Sequence, residues 1–359
     1  MAEAIAWATP THQCTDAPTR RRADERSRDK GAVMRNPIRR ARLAWAALCW
    51  AVASAGACAQ AVYPQHAVKL IVPWPAGGSV DIAARVIAEQ LSVNLGQPVI
   101  VDNRPGAAGN IGATMAAQSA PDGYTLLMAT TPMIINRSLY RNLPFDLARD
   151  FTPVSQLVTL SYVLVAHPSV AHSVPELIAK AKASPGQLSY ASSGPGTQLH
   201  LIGEGFKRQA GIDIVHVPYK GAPPALADML GGHVHLMFPG FPVVEPLLKS
   251  GQLKALAVVS KRRLALLPNV PTLAQAGVPN LDFTEWYGVV APAGTPDKIV
   301  AQLNGEIVKI LKMPDVRQRL AGRGFDPVGG TSQEFAELIV EEQKKWAATV
   351  AQSGVRVDE

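Results

Sequence analysis

Short apolar runs and amphipathic runs alternate along the chain from residue 67 onward, and this alternation sets the expected fold. Residues 67–73 are apolar enough for a buried strand, whereas residues 81–95 repeat apolar side chains at helical spacing. The same pattern predicts further strands at 99–101, 124–129, 154–158, 162–166, 188–192, 214–217, 234–238, 254–259 and 283–290. It predicts further helices at 111–118, 175–183, 197–209, 224–230, 243–249, 296–312, 314–321 and 332–352. Strands that alternate with helices are typical of an α/β protein.

The last three predicted helices follow the last predicted strand and have no partner strands of their own. We expect them to pack back on the first strand–helix unit, which makes the first domain discontinuous. Residues 60–359 contain no Pro/Ser-rich linker. Any two lobes are therefore expected to be joined by strands that cross between them.

The first 59 residues follow a different pattern, that of a secretory signal peptide. A basic stretch opens near Met34, an apolar run follows at 43–53, and the small residues Ala57-Cys58-Ala59 come next. This order predicts cleavage before Gln60. The alternatives are a membrane anchor, for which the run falls short of the roughly 20 residues needed, and lipid attachment at Cys58. Residues 1–33 are then an overlong gene start or an extension.

Removing residues 1–59 changes the charge and the cysteine count. The whole chain has a net charge of +7, but ten of its 35 Lys and Arg and five of its 28 Asp and Glu lie before Gln60. The remainder has a net charge of about +2, so the basic character that would favour nucleic acid is lost. The three cysteines Cys14, Cys49 and Cys58 are lost as well. The mature chain is expected to have no disulfide and no thiolate chemistry.

Three predicted strand-to-helix junctions, at 73–81, 129–132 and 192–197, share one composition. Each combines glycine or proline with hydroxyl side chains directly before a helix. Unpaired N–H groups and the dipole at a helix start favour an anion, and glycine permits close approach. We expect such approach, and a positive φ, at Gly78. Each junction alone is more typical of ordinary turn and capping chemistry than of a ligand site.

Together, three such junctions indicate a ligand site, because strand ends gather at one edge of a sheet. They supply hydrogen-bond donors without a fixed positive charge, which suits reversible capture of a carboxylate. Phosphate sites more often recruit Lys or Arg, and Gly77-Gly78 has no Walker lysine after it.

Enzyme and metal motifs are weak in this sequence. G-x-S-x-G, H-E-x-x-H and C-x-x-C motifs are absent. His200 and Glu204 share a helix face, and His233 and His235 share a strand face, but neither pair has an apparent third ligand. Ser193 has no adjacent base in the sequence, which leaves a distant histidine open. We expect no cofactor, no metal and no catalysis.

Several segments occur in the order seen in the Bug family, the extracytoplasmic receptors of tripartite tricarboxylate transporters. The chain resembles that family across residues 62–352, at residues 71–81, 103–112, 120–127, 190–194, 216–221 and 291–296. The resemblance implies a type II periplasmic-binding-protein fold, with two lobes and a ligand cleft between them. It implies lobe one at 61–160 plus 287–359, lobe two at 161–286, and crossovers near Ser161-Tyr162 and Glu285-Trp286.

Carried over by position, the resemblance also implies a carboxylate held by backbone groups and bridging waters. The expected ligand-binding residues are Trp74, Ala76, Gly77, Gly78, Ser79, Asp81, Thr130, Thr131, Ser193, Gly194, Gly196, Thr197, Pro239 and Gly240. The chain departs from the family after residue 238. The family has Asp or Asn followed by another polar residue there, and this chain has Pro239-Gly240-Phe241. The ligand therefore cannot be copied from other members. Trp74 and Ala76 also stand where the family often has Phe and Pro, with neutral drift as the alternative explanation.

The sequence therefore predicts a periplasmic, monomeric solute-binding protein that delivers a small carboxylate to the membrane permease subunits of a tripartite tricarboxylate transporter. Two alternatives remain open. One is a hydrolase or isomerase of small acids on the same fold. The other is a sensor that presents its ligand to a membrane kinase.

Overall fold

The computed structural model describes residues 63–353, and the predicted alternation of strands and helices is present there. The strands are β1 Val68–Val72, β2 Val99–Asn103, β3 Thr125–Thr130, β4 Phe151–Ala166, β5 Ser189–Ser192, β6 Val215–Pro218, β7 Leu236–Met237, β8 Lys254–Val259, β9 Thr284–Pro292 and β10 Phe325–Pro327. The helices are α1 Ser79–Leu95, α2 Asn110–Ala117, α3 Thr131–Leu139, α4 Val174–Ala183, α5 Gln198–Ala210, α6 Ala222–Leu230, α7 Phe241–Lys249, α8 Asp297–Lys312, α9 Pro314–Ala321 and α10 Ser332–Ser353. A short 3₁₀ turn lies at Ala107–Gly109. The predicted signal peptide and its cleavage site fall outside the described residues.

These strands form two parallel groups that are linked by antiparallel strands. In the first group β1 lies between β2 and β3, with all three parallel. In the second group β5 lies between β6 and β7, again parallel. Strand β9 pairs antiparallel with β3 and with β4, and β4 pairs antiparallel with β7 and β8. The two parallel groups therefore belong to separate halves of the molecule.

Strand β4 was predicted as two strands, 154–158 and 162–166, and this was wrong because the structure has a single strand of 16 residues. Its first part, to Ser161, pairs with β9, and its second part, from Tyr162, pairs with β8. Thr159 and Ser161 interrupt the apolar pattern because they occupy half-exposed positions of an alternating strand. Two elements escaped the periodic pattern as well. One is α3, whose start was expected only from the junction at 129–132, and the other is β10, whose three residues are too few to show a period.

The apolar cores are segregated between these halves. One core draws its buried residues from positions 162–281. A second draws them from 68–160 and 287–325, and a third mainly from 71–151 and 286–350. These divisions lie close to the predicted lobe boundaries, which stay a prediction.

The C-terminal helices contact the first half of the molecule. The Asn94 amide on α1 donates to Glu306 on α8 at 3.0 Å, and Asn304 on α8 donates to the Val154 carbonyl at 2.8 Å. Trp346 on α10 is fully buried in the third core. Within residues 63–353, each helix is too short or too polar to cross a membrane.

Candidate ligand pocket

A pocket lies where loops from both halves meet. Its volume is about 60 Å³, and one water needs roughly 10–15 Å³ by the same measure, so it has room for a few waters or a small molecule. Each of the strands β1, β3, β5, β6 and β7 is followed by a segment that contributes to the wall. The contributing residues include Trp74, Pro132, Ser193, Ala222 and Gly240. The carboxyl ends of parallel strands therefore meet here, as the sequence argument assumed.

Six of the fourteen predicted ligand-binding residues line this pocket. They are Trp74, Gly78, Ser79, Ser193, Thr197 and Gly240. The remaining eight are not among the residues that line it. Gly194 lines a neighbouring cavity that also includes Trp74 and Ser193. Their contact with a ligand stays a prediction.

The loop after β1, residues 73–79, is held in place by Asp81, and we call it the first glycine loop. The Asp81 carboxylate accepts the Gly77 backbone N–H at 2.9 Å, the Arg85 guanidinium at 2.9 Å and the Asn103 amide at 3.0 Å. Asn103 also donates to the Trp74 carbonyl at 3.0 Å. Burial opposes the charge on Asp81, but the hydrogen bonds from Arg85, Gly77 and Asn103 outweigh it and lower the pKa of this carboxyl. The Asp81 carboxylate thus binds groups of the protein itself, and through them it positions the first glycine loop.

The two glycines of this loop have different backbone requirements. Gly77 has φ +78°, a left-handed conformation that strains other residues. Gly78 has φ −75°, so the expected positive φ at Gly78 was wrong and belongs to Gly77. A Cβ at Gly78 would lie 3.2 Å from the Pro75 carbonyl oxygen, which is a tight contact. Space, rather than φ, therefore favours glycine at 78.

The loop after β5, residues 192–197, is held by neutral groups, and we call it the second glycine loop. The Ser192 hydroxyl and His216 Nε2 are 2.6 Å apart, and Ser192 accepts the Gly194 N–H at 3.1 Å. The Thr197 hydroxyl donates to the Gly194 carbonyl at 2.7 Å. The Gly196 N–H donates to His200 Nδ1 at 3.1 Å. Gly194 and Gly196 have φ of +126° and +74°, which favours glycine at both.

A stack of rings supports this second loop from below. The His216 ring lies 4.0 Å from the His200 ring and 4.9 Å from the Tyr190 ring, nearly parallel to each. Burial, together with the neighbouring His200, lowers the pKa of His216 to about 4. Both imidazoles are therefore neutral near pH 7.

The weak enzyme and metal candidates of the sequence have structural partners instead. Glu204 accepts from the Tyr190 hydroxyl at 2.6 Å and from Lys207 at 3.1 Å, so it is not free to hold a metal with His200. His235 contacts Ser189 at 2.9 Å. In residues 63–353 no group of three potential ligands could hold a metal ion. The serine beside a histidine is Ser192 rather than Ser193, and Ser192 is fully buried.

Other predicted residues shape the wall by packing. Trp74 donates through its indole N–H to the Thr130 hydroxyl at 3.4 Å. Thr131 is fully buried, and its hydroxyl has no hydrogen-bond partner among the described residues. The Pro239 carbonyl accepts the Val163 N–H at 3.0 Å. A Cβ at Gly240 would lie 2.6 Å from Leu160 Cδ1 and 2.8 Å from the Ser79 hydroxyl, so a larger residue there would require these side chains to shift. Ala76 is exposed at the rim.

The floor of the pocket was missed by the sequence argument. It consists of Tyr162 from β4, Glu285 and Tyr287 from β9, and Gln198 from α5. Tyr162 contacts both Gln198 and Glu285, and Tyr287 shares hydrogen bonds with Ser79 and Glu285. The available signal was that Tyr162 and Glu285 both lie at the predicted crossovers, where Glu285 is an acid in an otherwise apolar strand.

Comparison with known proteins identifies relatives over almost the whole described chain. Residues 83–355 match the family described as tripartite tricarboxylate transporter family receptor. The chain is 39% identical to BugT of Bordetella pertussis over 312 residues, which cover 85% of this chain and 96% of BugT.

Two solved structures are similar in fold as well as sequence. A protein of R. palustris with adipate is 37% identical at a TM-score of 0.80, covering 82% of this chain and 99% of that one. MatC of Rhodopseudomonas palustris with bound malate is 31% identical at a TM-score of 0.76, covering 80% and 100%. The expected two-lobed periplasmic-binding-protein fold is confirmed, as is the resemblance to Bug proteins. The chain belongs to the family of tripartite tricarboxylate transporter receptors, whose members are solute-binding proteins.

Proposed function

We propose that this protein captures a small carboxylate in the cleft between its lobes and delivers it to the membrane subunits of a tripartite tricarboxylate transporter. The observation that carries this is the set of helix starts at the pocket. Among the described helices, α1, α3, α5, α6 and α7 all begin at its wall, and none of these five has a side-chain cap bond at its start.

Uncapped helix starts are hydrogen-bond donors with a partial positive charge, so they favour an anion. Each such start is worth roughly 0.3–1 kcal/mol toward a nearby charge, and more in a partly buried site. Prolines at the starts of α3, α6 and α7 remove some of these donors. The donors are therefore concentrated at α1 and α5, which follow the two glycine loops.

The lining of the pocket favours a carboxylate over a phosphate. No Lys, Arg or His is present among the described residues that line it. Backbone dipoles without a fixed cation hold one charge reversibly, which suits a receptor that must release its ligand. The relatives solved with adipate and with malate support the same ligand class.

A binding role is favoured over catalysis by the state of the Ser–His pair. Ser192 is fully buried and shares its hydroxyl with the Gly194 backbone, so a substrate has no approach to it. Ser193, which does line the pocket, would need a different base. We therefore propose a non-catalytic receptor, and turnover of an ester or amide of a bound acid would contradict this.

The lobe boundaries and the hinge belong to the same proposal. Strands β4 and β9 are long, pair with each other over most of their length and pass between the two cores. We propose that lobe one, 61–160 plus 287–359, closes on lobe two, 161–286, by bending at these strands. We also propose that the protein is a monomer, and that it is exported to the periplasm with cleavage of its signal peptide before Gln60.

Calorimetric titration of residues 60–359 with adipate, malate, citrate and benzoate tests the function, with hexane-1,6-diol as an uncharged control. We expect at least one acid to bind and the diol not to bind. At 100 times its dissociation constant, a ligand adds roughly 2.7 kcal/mol to the free energy of unfolding. Binding of the diol as tightly as adipate, or binding of none of the acids, would contradict the proposal.

A further inference from the structure

Glu285 is a buried carboxyl group in the pocket that receives no cation. It is 6% exposed, and its hydrogen-bond partners are the hydroxyls of Tyr162 and Tyr287. Those two tyrosines are also the titratable groups that act on it, Tyr162 from β4 and Tyr287 from its own strand. A charged carboxylate buried without a cation is costly, and here it would also face an incoming ligand carboxylate.

The positions of the hydrogens around Tyr162 decide which form of Glu285 is present. The Tyr162 hydroxyl has one hydrogen, yet it lies within hydrogen-bond distance of two oxygens, Gln198 Oε1 at 2.5 Å and Glu285 Oε2. If Glu285 were ionised, one of these contacts would join two oxygens with no hydrogen between them. A proton on Glu285 resolves this, because Glu285 then donates to Tyr162 and Tyr162 donates to Gln198.

The same chain of hydrogen bonds leaves a donor for the ligand. Gln198 lines the pocket and is fully buried, and its amide nitrogen has no hydrogen-bond partner among the described residues. Buried amides of this kind are almost always satisfied in native proteins. Its N–H groups therefore await an acceptor, and a carboxylate oxygen is one.

We propose that Glu285 is a specificity-determining residue that is protonated in the liganded protein, so that the pocket binds its carboxylate together with one proton. This inference rests on the proposed function. Burial raises the pKa of Glu285 to about 7, against opposing hydrogen bonds from Tyr162 and Tyr287. The proton is therefore already present in mild acid and must be taken up from solution in mild base.

An exchange of the nitrogen and oxygen of the Gln198 amide would give the opposite chemistry. Glu285 would then be ionised and would accept from Tyr162, and Gln198 would present an unpaired oxygen. Such a floor would select a ligand with an ammonium group or another donor. The first arrangement favours a ligand that accepts a hydrogen bond from Gln198, and the second favours a ligand that donates one. One experiment therefore distinguishes them.

The experiment is titration of residues 60–359 with adipate, malate and benzoate between about pH 6 and 9, where their carboxyl groups are largely ionised. Citrate is left out because its last carboxyl group titrates within this range. For the acid that binds, we expect its affinity to fall about tenfold per pH unit above the pKa of Glu285, since each binding event takes up one proton. Titration at one alkaline pH in buffers of different ionisation enthalpy should show uptake of one proton. This second measurement needs no variant.

Glu285→Gln mimics the protonated carboxyl group. We expect the affinities of this variant at pH 6 and at pH 9 to agree with each other within about threefold. Glu341→Gln on α10 removes an exposed carboxyl and should keep the wild-type pH dependence. Equal wild-type affinity at pH 6 and 9 without proton uptake, or loss of binding in Glu285→Gln, would overturn the proton inference while leaving the carboxylate receptor intact. If none of the acids binds at pH 6, the proposed function fails and this inference fails with it.

Discussion

The two glycine loops face the same pocket, but opposite chemistries hold them in place. The first loop depends on charge, because the ionised Asp81 carboxylate binds the Gly77 N–H and is neutralised by Arg85. The second loop depends on neutrality, because Ser192 and Gly196 bond to imidazoles that are uncharged near pH 7. Neither loop contributes a charged side chain to the lining of the pocket.

Because of this difference, we expect the two loops to lose their stabilising hydrogen bonds at different pH values. The pKa of Asp81 is lowered below 3.8, so its contribution is complete above that value and is lost only in stronger acid. His216 has its pKa lowered from 6.5 to about 4, so the folded protein resists protonation there and loses stability as pH falls through that window. The second loop is therefore the acid-sensitive one.

The largest expected effect is the loss of binding in Gly78→Val. The backbone at Gly78 is accessible to valine, so the fold should survive, but the new Cβ lies 3.2 Å from the Pro75 carbonyl at the pocket wall. We expect no measurable carboxylate binding by calorimetry and an unchanged circular dichroism spectrum. Gly305→Val is the control, since Gly305 has open space around it. Normal binding by Gly78→Val would place the anion site elsewhere.

Asp81→Ala should have the next largest effect because three donors lose their acceptor at once. Gly77 and Arg85 are exposed and can bond to water instead, so we expect the free energy of unfolding to fall by about 1.5–3 kcal/mol, the worth of one hydrogen bond to a charged group. Binding should weaken by about 100-fold because the first loop is released. Asp326→Asn on β10, an exposed carboxyl, should change neither quantity. Wild-type affinity in Asp81→Ala would show that the loop needs no anchor.

The acid sensitivity of the second loop can be measured by urea denaturation at about pH 7 and pH 4.5. Glu285 acts oppositely, because its raised pKa makes the protein more stable as pH falls from about 7 toward 4.5. The series is therefore run in a Glu285→Gln background. We expect a loss of about 2 kcal/mol from His216, reduced for partial exposure.

His216→Phe keeps a ring in the stack with His200 and Tyr190 but cannot be protonated. We expect it to remove most of the loss between pH 7 and 4.5, at the expense of the Ser192 hydrogen bond at all pH values. Glu204 and Lys207 are the charged groups that also act on His216, in opposite directions. An equal loss in this variant would assign the acid sensitivity to another group.

Ser193→Ala should give the smallest effect. Ser193 lines the pocket, and a hydroxyl hydrogen bond to a charged ligand is worth about 1.5 kcal/mol at the low end, or roughly tenfold in affinity. Backbone groups carry the remainder, so binding should survive in this variant. Complete loss of binding would show that the second loop acts through its side chain, unlike the first.

The local features of this protein were determined by its sequence alone. Strand and helix positions such as β1 and α1 follow from apolar periodicity, and the two glycine loops follow from residue types at fixed offsets from a strand end. Each of these signals is contained in a few consecutive residues, so no knowledge of tertiary packing was needed. The family resemblance rests on the same short segments.

Only the tertiary structure decided the floor of the pocket and the role of Asp81. Tyr162 and Glu285 are 123 residues apart and meet because β4 and β9 pair along their length. Asp81 was expected to touch the ligand, which stays a prediction, and the structure adds that its carboxylate accepts hydrogen bonds from Gly77, Arg85 and Asn103. Strand pairing and the competition for hydrogen bonds in a buried site are non-local. A pattern read along one chain cannot contain them, because each depends on which distant residues burial brings into contact.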